Sequence, residues 1–216
     1  MTEKAIIFDF DGTIADTFDA IVSITNCLAL EFGYKLATLE DIEQFRNLSS
    51  REIIHKSGVS FFKLPFLLRK VRAGLNNKIQ ELKPFPGIKE ALIELKAQGN
   101  TLGIITSNSQ DNVTLFLENN VFLEVFDFLY SAPTVFGKHK VINSFLKQHK
   151  IKQQDVIYVG DETRDIEAAR KSNVKAIAVS WGFNSKEVLA KHNPDFLIYN
   201  PHELIEVIES LKKQSF

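Results

Sequence analysis

The stretch AIIFDFDGTIADT, residues 5–17, decides the architecture of this chain. Ala5 to Phe8 is apolar throughout and rich in isoleucine, which reads as a buried strand. Asp9, Phe10, Asp11 and Gly12 follow at once. Residues i and i+2 of a strand share a face, so Asp9 and Asp11 start out on one side and Phe10 on the other. Two like charges that close repel, and folding alone gives no reason to keep them. A bound cation or a shared proton supplies one.

Beyond this stretch, Phe18, Ile21, Ile24, Thr25 and Leu28 recur at helical spacing up to Gly33, a natural stop. Thr38-Leu-Glu-Asp41 and Ser49-Ser-Arg-Glu52 resemble capping boxes that open two more helices. Pro65 suits the first turn of a fourth, apolar at Phe66, Leu67, Val71 and Leu75 and ending before Lys83-Pro-Phe-Pro-Gly87. From Gly87 the pattern alternates. Helix is expected at 88–98, strand at 102–106, helix at 110–120, strand at 126–130, helix at 139–149, strand at 156–159, helix at 162–172, strand at 176–179, a short strand at 196–199, and a helix from Pro201. Continuous apolar strands separated by helices mean a parallel sheet covered on both faces. The expected fold is α/β, a doubly wound, Rossmann-like parallel-sheet core, residues 1–16 and 84–216, with an all-helical cap, residues 17–83, inserted after the first strand.

Composition fits that outline. The 216 residues are 44% hydrophobic and 25% charged, enough for a sizeable core. A formal net charge of −1 offers no basic field for nucleic acid or an anionic membrane. Cys27 is the sole cysteine and lies in an apolar helical pattern, so it is expected to be a small core residue, without an internal disulfide, in a reducing compartment. Met1-Thr2-Glu3-Lys4 carries no signal-like segment and no apolar run approaches a membrane span, so the expected location is the cytoplasm.

In such sheets ligands bind beyond the carboxyl ends of the strands. The first strand ends in Asp9 and Asp11, and the 102–106 strand in Thr106-Ser107-Asn108, a hydroxyl followed by N–H groups able to face an anion. Lys138 follows Gly137 in the loop after the 126–130 strand, with Lys140, Lys147 and Lys150 as rivals. The 156–159 strand runs into Gly160-Asp161-Glu162-Thr163-Arg164-Asp165. Carboxylates, a hydroxyl and an ammonium gathered at strand ends are the chemistry of a phosphate ester with Mg²⁺.

The order FDFDGT, IITSN, lysine loop, VGDETRDIEAARKSN resembles the haloacid dehalogenase-like hydrolase superfamily, in its phosphoglycolate-phosphatase-like branch, over essentially the whole chain. The resemblance implies Asp9 as nucleophile and Asp11 as general acid and base. It implies Mg²⁺ at Asp9, the Asp11 carbonyl and Asp161, with Asp165 close by, and Thr106, Ser107, Asn108 and Lys138 around the phosphoryl group. The family commonly follows its lysine with prolines, which Gly137-Lys138-His139-Lys140 lacks; Lys138 is preferred over Lys140. The expected substrate is a small phosphorylated metabolite, and the expected state a monomer or homodimer.

Competing readings differ at named positions. A dehalogenase lacks the second acid and the metal motif, both present here. A sugar-phosphate mutase of this superfamily carries a cap histidine where this chain has Ile21. A silent relative that only binds a partner would be expected to have lost an acid or the lysine. Within the cap, Arg46 is a candidate for a substrate carboxylate or second phosphate. His55 reads as a surface or core residue rather than a ligand. The apolar stretch 61–68 reads by default as core of the cap.

Overall fold

The structure is a computed structural model that describes residues 4–132 and 136–213. Met1 to Glu3, and part of the loop ahead of Lys138, lie outside the described residues. Six parallel strands form one sheet: β1 (Ala5–Phe8), β2 (Thr101–Thr106), β3 (Phe128–Ser131), β4 (Val156–Gly160), β5 (Lys175–Val179) and β6 (Phe196–Ile198). Their spatial order is β3-β2-β1-β4-β5-β6. The chain therefore winds outward from β1 in one direction and, from β4, in the other, which puts the reversal between these neighbours. Register aligns Phe8 with Ile104 on one side and with Val159 on the other, so Asp9 emerges between the ends of β2 and β4.

The period-2 alternation of the strands divides the core. Ile6, Phe8, Ile104, Ile157 and Val159 face helices α5 (Ile88–Ala97), α6 (Gln110–Asn119) and α10 (Glu203–Lys213). Ile7, Ile105, Val156 and Tyr158 face α7 (Lys138–His149) and α8 (Thr163–Lys171). Burial of both faces explains why these strands read as unbroken apolar runs. A short helix, α9 (Lys186–Lys191), stands between β5 and β6, where the sequence pattern gave no helix.

Between β1 and α5 lie α1 (Phe18–Phe32), α2 (Leu39–Phe45), α3 (Ser50–Ser57) and α4 (Leu64–Lys78). Both capping boxes form: the side chains of Thr38 and Ser49 accept from the backbone N–H of Asp41 and Glu52, whose carboxylates accept in return. Ile24, Phe32, Leu67, Val71 and Leu75 make a small separate core between α1 and α4. The two connections to the sheet run side by side, with Asp16 N–H donating to Lys83 O and Phe85 N–H to Ile14 O, both at 3.0 Å.

Two expectations fail in this insert. Cys27 is exposed, because the buried stripe of α1 runs through Ile24, Ala29 and Phe32 and leaves Cys27 outside it. The stretch 61–68 is only partly core: Leu64 and Leu67 pack inward, whereas Phe61, Phe62 and Phe66 are exposed at 69%, 87% and 58%. Helical geometry lets only one face of the segment reach α1. His55 is exposed, in line with its reading as a surface residue.

Candidate active site

Asp9 sits one residue past β1 with its backbone N–H donating to Val159 O (2.8 Å), which carries the strand ladder one step beyond Phe8. Its Oδ1 accepts from Phe10 N–H at 2.7 Å. Its Oδ2 meets the Lys138 ammonium, yet no hydrogen bond is aligned on that oxygen. Lys138 is the first residue of α7 rather than part of a loop, and it is 2% exposed, whereas Lys140 is exposed. It also donates to Asp165 Oδ1 at 2.6 Å. Burial opposes the charge on Lys138, but Asp165 and Asp9 outweigh it and hold the ammonium well above the ordinary lysine range.

Asp161 ends β4. Its Oδ1 accepts from Thr13 Oγ1 (2.7 Å) and its Oδ2 from Phe183 N–H (2.7 Å). Burial, then the charges of Glu162, Asp165 and Asp9, push its carboxyl well up. Burial likewise raises Asp165 to about 6 against the pull of Lys138. Oxygens of Asp9, Asp161 and Asp165 all lie within 4.8 Å of one another. Three buried carboxylates with one ammonium among them make a site with the hard oxygen donors and the charge deficit that suit a divalent cation. Backbone shape makes the room: Gly12 has φ of +78°, and a Cβ there would lie 2.2 Å from Asp161 Oδ2. At Gly182 a Cβ would lie 2.3 Å from the same oxygen.

Asp11 stands apart from this cluster. Both its oxygens accept from the Asn108 amide at 3.1 Å. Burial first, and then the charge of Asp9, raise it to about 7, with Thr17 and Asn108 acting the other way. The two neighbouring acids thus have different surroundings: Asp9 faces an ammonium, and Asp11 is poised to keep its proton. Thr106 Oγ1 accepts from Asn108 N–H at 3.0 Å, which leaves its own hydrogen free to donate.

A family model described as haloacid dehalogenase-like hydrolase matches residues 6–179. The chain belongs to this hydrolase family. Over 211 residues it is 36% identical to the phosphoglycolate phosphatase of Synechococcus elongatus, with 98% of this chain and 100% of that one covered. It is 24% identical to the pyrophosphatase PpaX of Bacillus thuringiensis, covering 99% and 100%. Among solved structures, a haloacid dehalogenase-like family hydrolase from Streptococcus pneumoniae shares 25% identity with a TM-score of 0.78, over 95% of this chain and 98% of that one.

Within this haloacid dehalogenase-like hydrolase, Asp9, Asp11, Thr106, Asn108, Lys138, Asp161 and Asp165 gather at adjoining strand ends, all of them buried. Ser107 lies beside them, half-buried. Arg46 Nη2 donates to Gly182 O at 2.9 Å, and its guanidinium lies over the Phe18 ring. Several participants carried no readable signal. Thr13 holds Asp161, Asn184 bonds the N–H of Thr163 at the head of α8 at 2.9 Å, and Arg164 is engaged by Glu162 Oε1 (2.8 Å from Nε). Thr13 and Arg164 stood inside motifs, after Gly12 and before Asp165, and Asn184 in neither.

The helical insert hydrogen-bonds to the segments that follow these strand ends. Asn184 Nδ2 donates to Arg46 O (3.2 Å) and Leu48 O (3.0 Å), Ser50 Oγ to Glu162 Oε2 (2.7 Å) and Ser185 Oγ to Asn47 Oδ1 (2.6 Å). On another seam Asn112 Nδ2 donates to Arg72 O and Asn76 Nδ2 to Asn112 Oδ1.

Proposed function

We propose that this hydrolase is an Mg²⁺-dependent phosphatase that cleaves a small phosphomonoester, phosphoglycolate or a sugar phosphate, through an aspartyl-phosphate on Asp9. The observation that carries the reading is the contrast between the two acids of the DxD pair. Asp9 Oδ2 faces a buried ammonium with no aligned hydrogen bond, while Asp11 is held by Asn108 in surroundings that raise it to about 7.

In this mechanism Asp9 Oδ2 attacks phosphorus, and the bond to the leaving alcohol breaks as Asp11 gives its proton to that oxygen. Asp11, now ionised, takes a proton from water as the water oxygen attacks the phosphorus of the aspartyl-phosphate. Inorganic phosphate leaves, and Asp9 is restored. Lys138 and the Thr106 hydroxyl hold phosphoryl oxygens, with backbone N–H groups of Ser107 and Asn108 alongside. Asp9, Asp161, Asp165 and the Asp11 carbonyl would hold Mg²⁺, whose charge offsets that of the phosphoryl oxygens. Residues 17–83 act as a cap that excludes water and contacts the leaving group, on a core of residues 1–16 and 84–216. A small-metabolite substrate, a single exposed cysteine and no helix long and apolar enough to cross a membrane among the described residues support a cytoplasmic place of action.

Phosphate release from a panel of small phosphomonoesters tests this reading, in Mg²⁺ and in chelator, for wild type and Asp9→Asn. Release in Mg²⁺ is expected, with a loss of at least roughly 100-fold in chelator and in the variant. Release indifferent to both, or isomerised ester without free phosphate, would overturn it.

A further inference from the structure

Arg72 lies on α4, the helix of the insert that meets the core at Asn112. Its side chain is half-buried, and its Nη2 is buried with no hydrogen-bond partner among the described residues. An unsatisfied buried guanidinium nitrogen is costly, and a site that keeps one is built for an acceptor that arrives with the ligand. The other three arginines of the insert lie over aromatic rings: Arg46 over Phe18, Arg51 over Phe136 and Arg69 over Phe66.

The position of Arg72 is fixed from the catalytic side. Asn112, 1% exposed, donates to the Arg72 carbonyl and to Asn108 Oδ1, both at 2.9 Å, while accepting from Asn76 at 2.8 Å. Asn108 Oδ1 also accepts from Ser109 N–H (2.8 Å), which orients its amide so that Nδ2 points at Asp11. Three side chains therefore tie the turn of α4 bearing Arg72 to the acid that serves the leaving-group oxygen. The charge of Asp11 is felt at Arg72 and partly offsets the burial that lowers its guanidinium.

We infer that Arg72 is a specificity-determining residue that binds a carboxylate on the leaving alcohol of the substrate. The inference rests on the phosphatase reading above and deepens it. The phosphoryl group belongs to Lys138 and Thr106 on the core side; the Arg72 guanidinium, which feels the charge of Asp11, stands on the insert, on the side where the alcohol departs. Because so few residues separate it from Asp11, a short alcohol with its anion close to the ester oxygen fits best, and a guanidinium matches a carboxylate.

Steady-state kinetics on 2-phosphoglycolate and on ethyl phosphate, which keeps the chain length and lacks the carboxylate, test the inference. Wild type is expected to prefer phosphoglycolate. Arg72→Met is expected to lower kcat/KM for phosphoglycolate about 10- to 100-fold more than for ethyl phosphate, chiefly through KM, with Arg72→Lys in between. Ethyl phosphate turnover by the variants serves as the control for folding. Equal losses on the two esters, or a wild type that does not favour the carboxylate, would overturn the role of Arg72 and leave the phosphatase reading standing. A wild type that releases phosphate from neither ester would overturn the role of Arg72, and one that also releases none from the wider panel of phosphomonoesters would overturn both.

Discussion

Asp11 is kept by two opposing demands. Burial and the neighbouring Asp9 raise its carboxyl from 3.8 to about 7, so the folded chain binds a proton there that the unfolded chain has already released. Its contribution to stability is complete below pH 3.8 and is lost as pH rises through about 7. Asp11→Asn removes that penalty while keeping an acceptor for the Asn108 amide. It is expected to raise the melting temperature at pH 8 in chelator by roughly 5 °C or more, and to lower turnover at least ~100-fold. Thermal melts of wild type and variant at pH 5 and pH 8 check the sign: the gap should widen with pH.

At the scale of elements, the site depends on how the insert is fastened to the strand ends. Asn184, 2% exposed, bonds two carbonyls of the insert and the first N–H of α8 at once. Asn184→Ala leaves the Thr163 N–H and Leu48 O without these partners, while Arg46 O keeps the Ser185 N–H, so a loss of about 1–3 kcal/mol is expected together with a raised KM, because closure over substrate is weakened. A thermal melt and a kinetic run on the same sample measure both; an unchanged KM would show that closure does not depend on this fastening. What the sequence disclosed follows the same division. The run Ala5–Phe8, the two capping boxes and the helix starting near Pro65 are local signals, and each forms where its residues stand. β3 begins at Phe128 rather than Phe126 because a short turn at Leu123–Val125 precedes it. The six residues of α9 are too few to show a helical period. Asn112, Arg72 and Asn184 were unreadable because the contacts that join insert to core span long stretches of chain, 40 residues from Asn112 to Arg72 and 138 from Asn184 to Arg46. Cys27 and the phenylalanines at 61, 62 and 66 were misread for a related reason: an apolar residue on a helix says nothing of which face has a neighbour.

Across the whole molecule, one sheet gathers the acids and the helical insert hydrogen-bonds to the segments beyond its strand ends. β1 lies between β2 and β4, so a chain that visits these strands far apart in sequence delivers Asp9, Thr106 and Asp161 to one edge. Lys138 and Asp165 complete the edge from the first turns of α7 and α8. The central claim is that Asp9 accepts the phosphoryl group. Rapid acid quench during turnover of a ³²P-labelled phosphomonoester, followed by peptide mapping, tests it most directly. Label on the peptide containing Asp9, released by hydroxylamine as an acyl phosphate is, and absent from Asp9→Asn, is the predicted result. Turnover by the wild type without label on the protein, or label that persists in Asp9→Asn, would contradict the account.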